Sequence, residues 1–180
     1  MRLTRRQLLV RGAFATGGLL IGGVVLRYAT FLEASPKAGL RMLTDREVEI
    51  LSALLLTCFP GAEGMPPADL EFLIPHIDDF LWHNDPETRS LFRAMLHVID
   101  DHARVFRFSR FVELDPKTQA AEVRAWELTP IYLKKAAFRS LKLIIGMHYM
   151  DQPDVRLAMG WYLGCSPSHL APSRGGGAGV

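Results

Sequence analysis

The sequence predicts an all-α protein: a compact bundle of about five helices behind an N-terminal twin-arginine signal segment. Three observations predict it. Asp85-Pro86, Asp115-Pro116 and Thr129-Pro130 each place a capping side chain before a proline, and proline suits the first helical position because its missing N–H has no helical partner there. Apolar residues recur at spacings of three and four through most of the chain. No stretch sustains the period-two alternation of a half-buried strand.

The chain opens on Thr4-Arg5-Arg6-Gln7-Leu8-Leu9-Val10, followed by a glycine-rich apolar run over residues 12–26. An arginine pair directly before a short hydrophobic segment is the mark of twin-arginine export, so Arg5 and Arg6 are the candidate export residues. Residues 1–34 are read as a signal or an anchor. The run is short of the ~20 residues a spanning helix needs, yet no small-x-small cleavage site follows it. The expected location is the periplasm, with attachment to the inner membrane as the variant.

Residues 35–180 are enough for one domain with a proper core. Of the 21 Lys and Arg, five lie in residues 1–34, leaving 16; of the 19 Asp and Glu, one does, leaving 18. A net-acidic body argues against nucleic acid as a partner. Cys58 and Cys165 could pair with each other or with another chain, or sit as small buried hydrophobes. Neither CxxC nor CxxCH occurs, so a zinc knuckle or covalent haem has no support.

Residues 35–43 read as a linker interrupted by Pro36 and Gly39. A helical domain is expected over 44–165. Thr44-Asp45-Arg46-Glu47 is a capping box, with Val48, Leu51, Leu55 and Cys58 on one face, and the helix must stop before Pro60. A second helix runs from Asp69 through Leu73, Ile77, Phe80 and Leu81 to Trp82, with Pro75 expected to bend or restart it. The third starts at Asp85 and carries the stripe Phe92, Met95, Leu96, Ile99, Ala103 and Phe106. A fourth follows Asp115 through Val123 and Trp126. The fifth, from Thr129-Pro130 to about Met147, is apolar around much of its circumference and is expected to lie centrally. Residues 166–180 form a glycine-rich tail too poor in apolar surface to order itself.

Two helices hold histidines and carboxylates at helical spacing, His76, Asp79 and His83 on one and His97, Asp100 and Asp101 on the next. Facing one another they could ligate a metal, although the Glu-x-x-His repeats of di-iron bundles are missing. His102 falls on the apolar stripe and reads as a core histidine. There is no Gly-x-Ser-x-Gly nucleophile elbow, and Gly175 to Gly177 lack the strand and helix of a phosphate loop. No catalytic, cofactor-binding or metal residue is therefore assigned. Lys135, Arg139 and Lys142 at spacings of four and three, with the aromatic Tyr149, Trp161 and Tyr162, are the candidate partner-binding residues.

Several of these short motifs together resemble one family, the small subunit of membrane-associated flavin-dependent sugar and sugar-acid dehydrogenases known as gluconate 2-dehydrogenase subunit 3. They are the twin-arginine start, Leu43-Thr44 opening the first helix, Phe59-Pro60 closing it, Ile77-Asp78, and Tyr149-Met150-Asp151-Gln152-Pro153 leading to Gly160-Trp161-Tyr162-Leu163-Gly164. Where that family closes on Gly-Tyr-Pro-Gly, this chain reads Gly164-Cys165-Ser166-Pro167. The resemblance implies a non-catalytic subunit that binds a large FAD-dependent flavoprotein of the glucose-methanol-choline type, aids its maturation and carries it to the twin-arginine translocase, with a cytochrome c subunit bearing haem c as a further partner. Two rivals stand beside it: a stand-alone exported enzyme with a metal held by His76/Asp79/His83 and His97/Asp101, and a membrane-anchored helical adaptor without a redox partner.

Overall fold

The computed structural model describes residues 34–62 and 64–161. Among them are six α-helices and one 3-10 turn: α1 (Asp45–Cys58), α2 (Leu70–His83), α3 (Pro86–Arg107), the turn Phe111–Glu113, α4 (Pro116–Leu128), α5 (Tyr132–Asp151) and α6 (Pro153–Ala158). No strand occurs among the described residues, and no helix among them is long and apolar enough to cross a membrane. The all-α bundle is the observed fold. Residues 1–33, with Arg5 and Arg6, and residues 162–180, with Tyr162, Cys165 and the tail, lie outside the described residues.

The predicted caps form. Thr44 and Glu47 close a reciprocal capping box on α1, Asp85 accepts from the Thr88 amide, and Asp115 from Lys117 and Thr118; Asp69, expected only as the start of α2, also caps it through the Glu71 and Phe72 amides. Thr129-Pro130 is the exception. The helix begins at Tyr132 with Ile131 as its N-cap, and Thr129 instead closes α4. Its hydroxyl still takes the Ile131 amide at 3.4 Å, which turns the corner between the two helices. Pro75 does not restart α2, which runs unbroken through it; the proline faces solvent, where water can satisfy the carbonyl it leaves free.

The central helix is α1 rather than α5. It packs on α2, α3, α4 and the 3-10 turn, burying Ile50, Leu51, Leu54 and Leu55 completely. Helix α5 rests on α2, α3 and α4 through Phe138, Leu141, Ile145 and Tyr149, and leaves its other face uncovered. The stripe of α3 also ends sooner than its periodicity suggests: Phe92, Leu96, Ile99 and Ala103 are buried, but Phe106 is 66% exposed.

Three buried carboxylates tie these helices together. Glu47, with no exposed surface, holds Thr44 through the capping box, takes the Arg93 guanidinium at 2.8 Å and lies 3.3 Å from the His97 ring. Burial alone would raise its pKa, but the hydrogen bonds from His97, Arg93 and the Thr44 amide outweigh burial and hold it below the usual glutamate range. Asp100 receives Arg46 at 2.8 Å, Arg110 at 3.1 Å and the Phe111 amide at 3.0 Å. Its burial is likewise outweighed, by the two guanidinium groups, and it too stays ionised. Asp78 accepts the backbone amides of Arg41, Met42 and Leu43 at 2.7 to 2.9 Å. Part of the expected linker is therefore pinned to α2, and Leu43 is fully buried.

Removing one partner of a buried charge pair leaves the other unmatched in a low dielectric. Glu47→Gln should therefore lower unfolding free energy by ~3–5 kcal/mol in urea denaturation, whereas Glu47→Leu combined with Arg93→Met should recover most of that loss. Because both carboxylates have lowered pKa values, the stability they provide is present above the ordinary carboxylate range and drains away as pH falls through their folded values.

Candidate functional site: an apolar groove on the outer face of α5

Helix α5 has two apolar stripes. One enters the core; the other, Leu143, Met147 and Met150 at spacings of four and three, faces outward. Between its residues Gly146 has no side chain to fill the space, so the ring of Phe59 forms the floor. The result is a groove of about 510 Å³, closed at one end by Trp161 and edged by Lys142 and Asp151.

Trp161 reaches the groove through a glycine turn. Gly160 adopts φ +71°, the Trp161 amide returns to the Arg156 carbonyl at 2.8 Å, and the Gly160 amide bonds Leu157. A left-handed glycine just past a helix end is the usual device for reversing the chain there. It brings the indole, 60% exposed, back alongside α5.

Tyr149, expected at an interface, lies beneath this surface. Its ring stacks on Phe59 with centroids 4.2 Å apart and planes within 9°, and its hydroxyl donates to the Pro66 carbonyl at 2.6 Å. It is buried, which raises its pKa, and its role is to brace the groove floor. Gln152 completes the brace: its side chain accepts the Asp69 amide and donates to the Pro67 carbonyl. The Tyr149 to Pro153 motif thus holds Phe59 and the stretch from Pro66 to Asp69 against α5.

Among the basic residues Lys142 is half-buried and paired with Glu127, Lys135 is half-buried and Arg139 is exposed. The histidine groups do not converge. His76 donates to the Phe72 carbonyl at 2.7 Å and stacks on that ring, and His83 bonds the Asp79 carbonyl at 2.8 Å while Asp79 pairs with Arg41. His97 is buried under Glu47, and Asp101 lies 3.9 Å from Arg104. Among the described residues no group of three or more His, Cys, Asp or Glu is placed to hold a metal, so His76, Asp79, His83, His97 and Asp101 do not gather into one cluster. The reason is directional: His76 and His83 turn to their own helix backbone, Asp79 and Asp101 to arginines, and His97 to Glu47. The half-buried Cys58 thiol is pushed up to about 11 by burial, and Cys165 lies outside the described residues.

His102 is not a core histidine. It stands half-buried where α3, α4 and α5 meet, with Nδ1 2.6 Å from the Glu122 carboxylate and Nε2 2.8 Å from the Lys134 ammonium. These partners assign the tautomer: Nδ1 carries the proton and donates to Glu122, and Nε2 accepts from Lys134. The Lys134 ammonium also sits 4.1 Å above the Trp126 ring. With its accepting nitrogen already occupied by a cation, the imidazole has no free lone pair to serve as a base. Burial and the Lys134 charge lower its pKa, against the pull of Glu122.

No protein-family model, curated protein or solved structure matches the chain. The site rests on its own geometry. Of the candidate partner-binding residues Lys142 and Trp161 line the groove and Lys135 and Arg139 do not, while Phe59, Leu143, Met147 and Met150 are not among the candidates the sequence offers. Their only signal was an apolar period continuing around both sides of one helix.

The sign of the His102 effect on stability follows from its lowered pKa. The unfolded chain takes up the proton first, so the stabilisation is complete above pH ~6.5 and lost as pH falls through the folded value. His102→Gln should flatten the fall in melting temperature between about pH 7 and pH 5. Some slope should remain, because burial also lowers the pKa of His148. An unchanged pH profile in the variant would refute the assignment.

Proposed function

We propose that this chain is the non-catalytic small subunit of an exported flavin-dependent dehydrogenase, aiding maturation of the catalytic subunit and carrying it through the twin-arginine pathway to the periplasm. FAD and the reaction belong to the large glucose-methanol-choline-type partner, with a cytochrome c subunit passing electrons onward. The observation that carries the reading is the groove on α5. Leu143, Met147, Met150 and Trp161 are large apolar side chains left uncovered around a concave floor, with a cation and a carboxylate at the edge. An apolar centre with a polar rim is how protein interfaces are built, and methionine adapts to the shape it meets. The sequence supports the rest of the reading: the twin-arginine start at Arg5 and Arg6, and motifs that resemble the gluconate 2-dehydrogenase small subunit.

The motifs behind that resemblance have structural work in this fold. Leu43 and Thr44 open α1, Asp78 pins the segment before it, and Tyr149 and Gln152 brace the groove floor. A scaffold for presenting a surface is what a docking subunit requires.

Affinity purification of the full chain from native membranes should bring down a large chain with the visible absorbance of bound flavin. Leu143→Asp with Met147→Asp should weaken that association roughly a hundredfold, as loss of central interface residues does. Its melting temperature should stay near that of the parent, since both positions face solvent. Replacing Arg5 and Arg6 by lysine should leave the flavoenzyme in the cytoplasm. Recovery of the chain without flavin, or an enzyme location indifferent to the arginines, would leave the adaptor reading in its place.

A further inference from the structure

A second uncovered surface lies at the other end of α5 and has a different character. Helix α3 ends on Phe108, which adopts φ 58°, ψ 19°, the left-handed conformation that glycine normally supplies at a helix C-terminus. A bulky side chain is strained there, and such strain is concentrated at functional positions. Phe108 is also 93% exposed. Val105 and Phe106 project beside it, and Ile131, Tyr132 and Leu133 project from the start of α5, with Tyr132 82% exposed. The two groups belong to one end of the molecule, because His102 touches both: its ring lies 4.5 Å from that of Phe106 and 2.8 Å from the Lys134 ammonium. None of the six lines the α5 groove.

Charge is segregated to the same place. Residues 102–112 and 129–141 contain six Lys and Arg and no Asp or Glu, whereas the other ten cations after residue 34 are spread among 18 carboxylates. Arg107 is tied to Glu122, and Arg110 to Asp100 and Glu49. The field facing outward comes from Lys134, Lys135, Arg139 and Arg104, whose carboxylate partner is a distant 3.9 Å. The Lys134 ammonium bonds the His102 ring rather than a carboxylate.

We propose that this end of the molecule, Val105 to Phe108 with Ile131 to Leu133, seats on an anionic lipid surface. Projecting aromatic and aliphatic side chains enter the boundary of headgroups and acyl chains, while lysine and arginine beside them attract acidic headgroups. A protein partner is better met by a concave centre such as the α5 groove, and this surface projects instead. The orientation leaves that groove, at the opposite end of α5, clear of the bilayer for a second molecule.

The test uses the full chain with phosphatidylcholine vesicles, with and without phosphatidylglycerol. Anionic vesicles should slow amide hydrogen exchange at residues 104–110 and 131–135, and added salt should reverse the effect. Phe106→Ser with Phe108→Gly should abolish the local protection and weaken vesicle binding roughly tenfold or more. The glycine relieves the backbone strain, so the variant folds at least as readily at that position. The groove variant Leu143→Asp with Met147→Asp should retain the protection. If the chain floats with vesicles but these residues exchange as fast as before, the N-terminal segment alone holds it and the proposal fails. It fails equally if the flavoprotein, and not lipid, protects them.

Discussion

The fold depends on the carboxylate of Glu47, which has no contact with water and joins the cap of its own helix to two side chains of α3. It fixes the start of α1 through Thr44, receives Arg93 from α3, and lies against His97 one turn further along. A buried ion is costly unless its hydrogen bonds are satisfied, so α1 and α3 can pack in only one register. Asp100 repeats the arrangement one turn on, drawing in Arg46 and the 3-10 turn. Apolar contacts supply the bulk of the packing, but these two carboxylates specify which faces meet.

That register explains why α1, and not α5, sits at the centre. Hydrophobicity alone pointed to α5, since its apolar residues wrap most of its circumference. A helix can be apolar all round because it is enclosed, or because its second face is reserved for another molecule, and the amino acids are the same in both cases. Here Phe138, Leu141 and Ile145 face the core while Leu143, Met147 and Met150 face outward. The polar contacts of α1 decided the matter: they occupy the interior and leave α5 at the periphery.

Local signals were legible where the chemistry is local. Capping aspartates, prolines at first helical positions and the Thr44–Glu47 box each involve residues within one turn, and they located three of the helix starts. Thr129-Pro130 misled because a threonine can close one helix as readily as open another, and only the position of α4 distinguishes the two. The contacts that build the groove were out of reach. Tyr149 stacks on Phe59 across some ninety positions of sequence, and nothing in either neighbourhood announces it. His102 had the same difficulty, since its partners Glu122 and Lys134 come from different helices.

The two methionines of the groove have a chemical consequence beyond shape. A solvent-facing thioether is open to peroxide, and one added oxygen turns a flexible apolar side chain into a polar, chiral sulfoxide. At Met147 and Met150 that change would fall on the outward groove and spare the buried face of the same helix. Under the proposed docking role, oxidation would weaken association before it unfolded the chain, and a sulfoxide reductase could reverse it without the chain having to refold.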